Sequence, residues 1–167
     1  MGLSKAGPLM RGVIRLNPNM ERIRNFVQLT EYFGTAGQPS VDQFPIIAEN
    51  GYQHVINIGM PDHPDALSNE GDLVSALGMN YIHIPVPFDK PTPDHVRLFC
   101  KILSQISHEK VFIHCIMNYR VSAFTYHYLS KIENRDENDA KSIIFQKWSI
   151  EPIWKELMSW SSTDLGL

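Results

Sequence analysis

The sequence predicts an α/β fold in three layers, with a mostly parallel central sheet of about four to five strands flanked by helices. Two observations carry this. Short runs rich in β-branched residues recur along the chain, among them Val55-Ile56-Asn57-Ile58, Tyr81-Ile82-His83-Ile84 and Val111-Phe112-Ile113-His114. Between them lie segments of helical period about 10–15 residues long, and such alternation builds right-handed β-α-β units. At 167 residues the chain is long enough for one domain with a sizeable core. Residues 1–20 read as a loosely ordered arm and residues 21–167 as the single domain.

Taken in order, Ile23 to Leu29 is a short apolar segment, and Tyr32 to Ala36 reads as an edge strand. Gly37-Gln38-Pro39 marks a turn. Ser40 and Gln43 form a capping box for a helix running to about Asn50, with Gly51 past its end and Pro45 able to delay its start. His54 to Ile58 is the next strand, followed by the loop Gly59–Leu67. Ser68 is placed to cap a helix over Asn69–Leu77, which Gly78 ends. Tyr81–Ile84 is a strand and Pro85–Pro91 a loop. Thr92 as N-cap, Pro93 at the first helical position and Asp94 in the first turn open a helix to about Ser107. Its stripe of Val96, Phe99, Cys100, Leu103 and Ile106 assigns Cys100 to the core. Val111–His114 is a strand and a helix begins near Val121. Two helical segments, Glu137–Trp148 and Pro152–Trp160, close the chain, and Trp148, Trp154 and Trp160 read as their packing face.

Hydrophobic and charged fractions of 43% and 20% are ordinary for a globular protein. A net charge of -3 offers no support for a nucleic-acid or anionic-membrane partner. No apolar run approaches a membrane span, and Met1 to Met20 lacks the apolar core of a signal peptide. Ala6 stands where N-myristoylation wants Ser or Thr. Cys100 and Cys115 do not make a disulfide framework, so a reduced, cytoplasmic protein is expected. Oligomeric state is left open.

In a parallel sheet, ligands bind beyond the C-terminal ends of the strands. Gly59–Leu67, Pro85–Pro91 and Cys115–Arg120 leave that edge. The last carries the chemistry. A strand ends in Cys115, a short loop follows, and Arg120 precedes a helix. Positive potential at a helix N-terminus beside Arg favours a thiolate. Successive N–H groups around such a turn form an anion nest, and a guanidinium fork matches two phosphate oxygens. Cys115 is therefore the candidate nucleophile. Ile116, Met117, Asn118, Tyr119, Arg120, Val121 and Ser122 are the candidate phosphate-binding residues. A buried structural Cys is the plain alternative, which the strand–Cys–loop–Arg–helix order outweighs. His114 is assigned to orienting the loop and not to base catalysis.

His114-Cys115 followed by a short loop and Arg120 resembles the phosphate-binding loop of protein tyrosine phosphatases, especially the small dual-specificity type. Gly37-Gln38-Pro39-Ser40, Val55-Ile56-Asn57-Ile58, Tyr81-Ile82-His83-Ile84-Pro85-Val86 and Asn118-Tyr119-Arg120-Val121-Ser122-Ala123-Phe124 extend the likeness to a group of bacterial phosphatase-like proteins, over roughly residues 30–130. The resemblance implies a tyrosine-phosphatase-like fold and a phosphomonoester hydrolase that forms a phosphocysteine and needs no cofactor. Its substrate would be a phosphorylated protein or a small phosphomonoester.

One departure matters. The family has His-Cys, five residues, Arg, then Ser or Thr; here four residues separate Cys115 from Arg120. If the loop keeps its length, Asn118 replaces a Gly, Ser122 stays in place and Val121 takes the Arg position. If it is one residue shorter, Arg120 keeps its role and Ser122 is displaced. The first alignment preserves more landmarks. The resemblance also implies a general acid from a mobile loop, and Asp89 in Val86–Pro91 is the candidate. Asp94 reads as a helix first-turn residue, and Asp62-His63-Pro64-Asp65 as a solvated loop rather than a pocket wall or metal site. Two other readings stand beside the phosphatase: a catalytically weak or inactive phosphate-binding module, and a rhodanese-like sulfurtransferase.

Overall fold

The computed structural model describes residues 17–167. Strands β1 (Val27–Gln28), β2 (Phe33–Ala36), β3 (His54–Asn57), β4 (Asn80–His83) and β5 (Val111–His114) form one sheet in the spatial order β1-β2-β5-β3-β4. All neighbours are parallel except β1 and β2. Every residue of β2, β3 and β5 is buried, as expected of strands covered on both faces. Their side chains alternate between two cores. Ile56, Val111 and Ile113 join one, with Phe99, Phe124 and Trp154. Val55 and Phe112 join the other, with Phe44, Ile47 and Val74.

The first core is covered by α3 (Pro93–Ile106), α4 (Tyr119–His127), α6 (Pro152–Ser159) and α7 (Ser162–Leu165), with the short α5 (Glu137–Ala140) beside them. The second is covered by α1 (Phe44–Glu49) and α2 (Glu70–Ala76). Thr92 caps α3 through His95, and the box formed by Ser40 and Gln43 opens a 3-10 turn that runs into α1 at Phe44, just ahead of Pro45. From Arg120 to His127, α4 is buried all round, so it runs through the middle of its layer.

Four expectations need correction. Phe33–Ala36 is not an edge strand, because the two-residue β1 covers it and β5 lies on its other side. The cap of α2 is Asn69, without a side-chain bond, not Ser68. The segment Glu137–Trp148 is not one helix: α5 stops at Ala140, and Ser142 caps a 3-10 turn over Ile143–Gln146. Helix α4 begins at Tyr119, ahead of Val121, because Asn118 takes a left-handed backbone (φ 70°) and turns the chain at that point. The arm expected over residues 1–20 falls mostly outside the described residues; within them, Met20 is buried in the second core. No helix among the described residues is long and apolar enough to cross a membrane.

Candidate active site

Cys115 follows β5, the central strand, and is buried. The loop after it is held from outside by its carbonyls. The Cys115 carbonyl accepts from His114 Nδ1 (3.0 Å), that of Ile116 from the Gln38 amide (3.0 Å) and that of Met117 from Asn25 Nδ2 (2.9 Å). A trans peptide points its C=O and the following N–H in opposite directions. Tying these carbonyls outward therefore turns the Ile116 and Met117 amides inward, and among the described residues no acceptor meets them. The first amides of α4 likewise lack intrahelical acceptors. Gly37 permits the arrangement, since a Cβ there would collide with the Ile116 carbonyl oxygen.

Asn118 and Ser122 act as fasteners. Asn118 Nδ2 donates to the Asn25 carbonyl (2.8 Å) and to Thr35 Oγ1 (3.1 Å), and Ser122 Oγ donates to the Asn118 carbonyl (2.7 Å). Val121 is wholly in the core. With Cys115, four of the residues expected to bind phosphate, Ile116, Met117, Tyr119 and Arg120, line one cavity of about 600 Å³, whereas Asn118, Val121 and Ser122 do not. Arg120, not Val121, thus faces the cavity, which favours the shorter-loop alignment over the one that keeps more sequence landmarks.

Arg120 is only 5% exposed. Its Nη1 donates to the Val86 carbonyl (2.8 Å), and the guanidinium lies over the Phe88 ring at 5.6 Å. Among the described residues it has no carboxylate within ion-pair distance. A buried cation without a counterion is costly, and a bound anion relieves that cost.

The remaining wall is formed by Met60, Asp62, His63, Pro64, Phe88 and Glu151. Phe88 is fixed inward, its ring 5.3 Å from that of Trp154 and its carbonyl accepting from Trp154 Nε1 (2.9 Å). Asp89, next in the chain, is exposed and lies outside the cavity wall. Asp62 is exposed, as a solvated loop would have it, and also stands on the wall, and Arg24 anchors its loop through Asp65 at 2.9 Å. Trp148, Trp154 and Cys100 are buried, as the sequence predicts, and burial pushes the Cys100 thiol up to about 12. Tyr119 stacks on Trp148 at 5.1 Å, so the C-terminal segment buttresses the wall.

Sequence reasoning missed Glu70. It is 3% exposed, with Oε2 2.7 Å from His114 Nε2 and Oε1 accepting from Gln38 Nε2 at 2.6 Å. Burial pushes this carboxyl up, but hydrogen bonds from His114, Gln38 and Tyr81 and the charge of His114 outweigh it and hold the group below the ordinary carboxylate value. The available signal was His114 itself, since a histidine in a buried strand needs polar partners. Among the described residues no group of three or more His, Cys, Asp and Glu side chains is placed to hold a metal ion.

A family model described as a DSP-PTPase phosphatase fused to NAD+ kinase matches residues 15–147. A candidate phosphatase of the DUF442 group from Shewanella putrefaciens CN-32 is 31% identical over 89% of this chain and 98% of its own, with a TM-score of 0.78. Two more distant structures share the fold. TpbA of P. aeruginosa, in complex with pTyr, is 13% identical over 75% of this chain and 72% of its own (TM-score 0.58). The PP-IP phosphatase SIW14 of S. cerevisiae, in complex with citrate, is 10% identical over 86% and 90% (TM-score 0.67). No curated protein matches the chain in sequence. With a family model spanning most of its length and a DUF442 relative matched from end to end, the chain belongs to the DSP-PTPase family of the protein tyrosine phosphatase-like superfamily.

Proposed function

We propose that this protein is a cysteine-dependent phosphomonoester hydrolase. The observation that carries the reading is the pairing, on one cavity, of Cys115 with a buried Arg120 that meets no carboxylate among the described residues, at the N-terminus of a buried helix. Phosphate in this cradle would receive the inward amides of the loop and the free donors of Arg120. The Cys115 thiolate attacks phosphorus, the P–O bond to the ester oxygen breaks, and that oxygen leaves with a proton. Water then hydrolyses the phosphocysteine and restores the thiolate. Asp62 and Asp89 are both exposed, but of the two Asp62 lines the cavity, which makes it the better candidate to supply the proton. The apolar parts of the wall, Met60, Phe88 and Tyr119, suit an aryl phosphate, either as a small ester or on a protein.

A second reading, an anion-binding module without turnover, is favoured by one feature: Arg120 already spends a donor on the Val86 carbonyl. Hydrolysis of p-nitrophenyl phosphate, with tungstate binding measured alongside, separates the two. The hydrolase predicts turnover that Cys115→Ser abolishes while tungstate still raises the melting temperature. Tungstate binding by the wild type with no turnover would favour the module, and full activity in Cys115→Ser would exclude the cysteine mechanism.

A further inference from the structure

The C-terminal segment contributes one charged group to the cavity, Glu151, which the proposed reaction does not use. Its backbone forms the N-cap of α6, and its carbonyl accepts from the amides of Trp154 and Lys155, each at 3.0 Å. Glutamate is not among the side chains favoured at that position, and here it makes no cap bond. The carboxylate is held elsewhere: Oε2 accepts from Trp148 Nε1 at 3.0 Å. The Trp148 ring in turn lies flat on Tyr119, with 5.1 Å between centroids and 5° between planes, and meets Trp154 edge-on at 5.8 Å. One buried indole therefore fixes two members of the cavity wall, the Tyr119 ring and the Glu151 carboxylate. Among the described residues, Oε1 meets no hydrogen-bond donor and the carboxylate meets no cation within ion-pair distance.

We propose that Glu151 is a specificity-determining residue: it selects phosphate monoesters whose organic part carries a positive group and turns away those that carry a second phosphate. This rests on the phosphatase reading for what sits between Cys115 and Arg120, though not for the bias of the wall. Phosphate there occupies the buried floor of the cavity and leaves the organic part of the ester to run outward past Phe88 and Tyr119. An aryl group laid against Tyr119 carries its far substituent toward the exposed Glu151, because Trp148 ties the two wall residues together. A carboxylate at that point attracts an ammonium or guanidinium and repels a phosphate. Asp62, the other exposed carboxylate of the wall, acts in the same sense. His63, with Nδ1 accepting from the Asp65 amide at 3.1 Å, completes the wall's titratable groups. Among the described residues that line the cavity, Arg120 is the only Lys or Arg, and the reacting phosphate claims it. A second phosphate would therefore find carboxylates on the wall and no further guanidinium or ammonium.

Aryl phosphates that differ only at the para position test this: phenyl phosphate, p-aminomethylphenyl phosphate and hydroquinone bisphosphate. Glu151→Gln is the informative variant, since its amide oxygen still accepts from Trp148 Nε1 while the charge is lost. Affinities are titrated in a Cys115→Ser background and kcat/KM is measured with Cys115 in place, both at about pH 7.5, where the amine is charged. Glu151→Gln should bind the ammonium ester about three- to tenfold more weakly and the bisphosphate more tightly by a similar factor. Phenyl phosphate should stay within about twofold, and both shifts should shrink in about 0.5 M salt. A protein with Glu151 intact that prefers the bisphosphate to phenyl phosphate, after allowance for its two equivalent ends, overturns the proposal even if the variant does not fold. So does a folded Glu151→Gln protein whose affinities for the whole set move together or not at all, which is what a purely structural role predicts. The expected shifts in affinity without phosphoester turnover support the selective wall and count against the hydrolase alone.

Discussion

Among the described residues, Arg120 is a buried cation balanced by a backbone carbonyl and an aromatic ring rather than by a carboxylate. Such a site is ready for an anion, and a planar fork is the part a phosphate would use. Arg120→Ala is expected to lower kcat/KM for p-nitrophenyl phosphate by about two orders of magnitude or more and to weaken tungstate binding. Arg120→Lys should not restore either, because an ammonium offers no fork. Unchanged kinetics in both variants would remove Arg120 from the site. The proton donor is tested by the leaving group. Asp62→Asn should depress turnover of an alkyl phosphate by about a hundredfold while barely touching p-nitrophenyl phosphate, whose leaving group needs no acid. Asp89→Asn should leave both alone. The reverse pattern would return the acid to Asp89 and require its loop to turn inward.

At the scale of elements, the site is a loop stretched between β5 and α4 and fastened by residues far away in the chain. Gly37 is the tightest fastening, because its missing side chain is what lets the β2 end approach the Ile116 carbonyl. Gly37→Ala is expected to cost about 1–3 kcal/mol and to weaken tungstate binding, measured by melting temperature and titration. An unaltered affinity would mean that this contact does not shape the nest. The four parallel strands, the Thr92 cap and the Cys115 loop were legible in the sequence because each is local: alternation, a capping pattern, and a Cys at a strand end. Asn25, Gln38 and Glu70 were not, because each acts on the loop across a gap in the sequence that no periodicity marks. Glu70 in particular reads as an ordinary first-turn carboxylate until α2 is laid against β5. The alignment of Arg120 is hidden from the sequence for a similar reason. Ser122 looked like a landmark for the loop, but its hydroxyl is spent within α4 on the Asn118 carbonyl.

For the whole molecule, two buried groups tie stability to pH in the same direction. Burial depresses His127 from 6.5 to about 4; its Nε2–H donates to the Leu157 carbonyl (2.7 Å) and its Nδ1 has no partner among the described residues. Below pH 6.5 the unfolded chain takes up a proton that the folded one refuses, so this contribution is full above 6.5 and is lost as the pH falls to about 4. The loss is at most about 3 kcal/mol. Glu70, held below its ordinary value of 4.5, stabilises above that pH and ceases to as the pH falls through its folded value. The melting temperature should therefore fall steadily on acidification from about pH 7 to 4, and His127→Gln, which keeps a donor for Leu157, should flatten the upper part of that decline. An equal slope in the variant would assign the acid sensitivity elsewhere. Above these dependences stands the proposed chemistry itself, and one measurement reaches it directly: acid quenching of the protein shortly after mixing with a labelled aryl phosphate, followed by mapping of the label. A phosphocysteine intermediate would leave phosphate bound covalently to the peptide carrying Cys115, absent in Cys115→Ser. Steady hydrolysis with no label on that peptide at any quench time would contradict it.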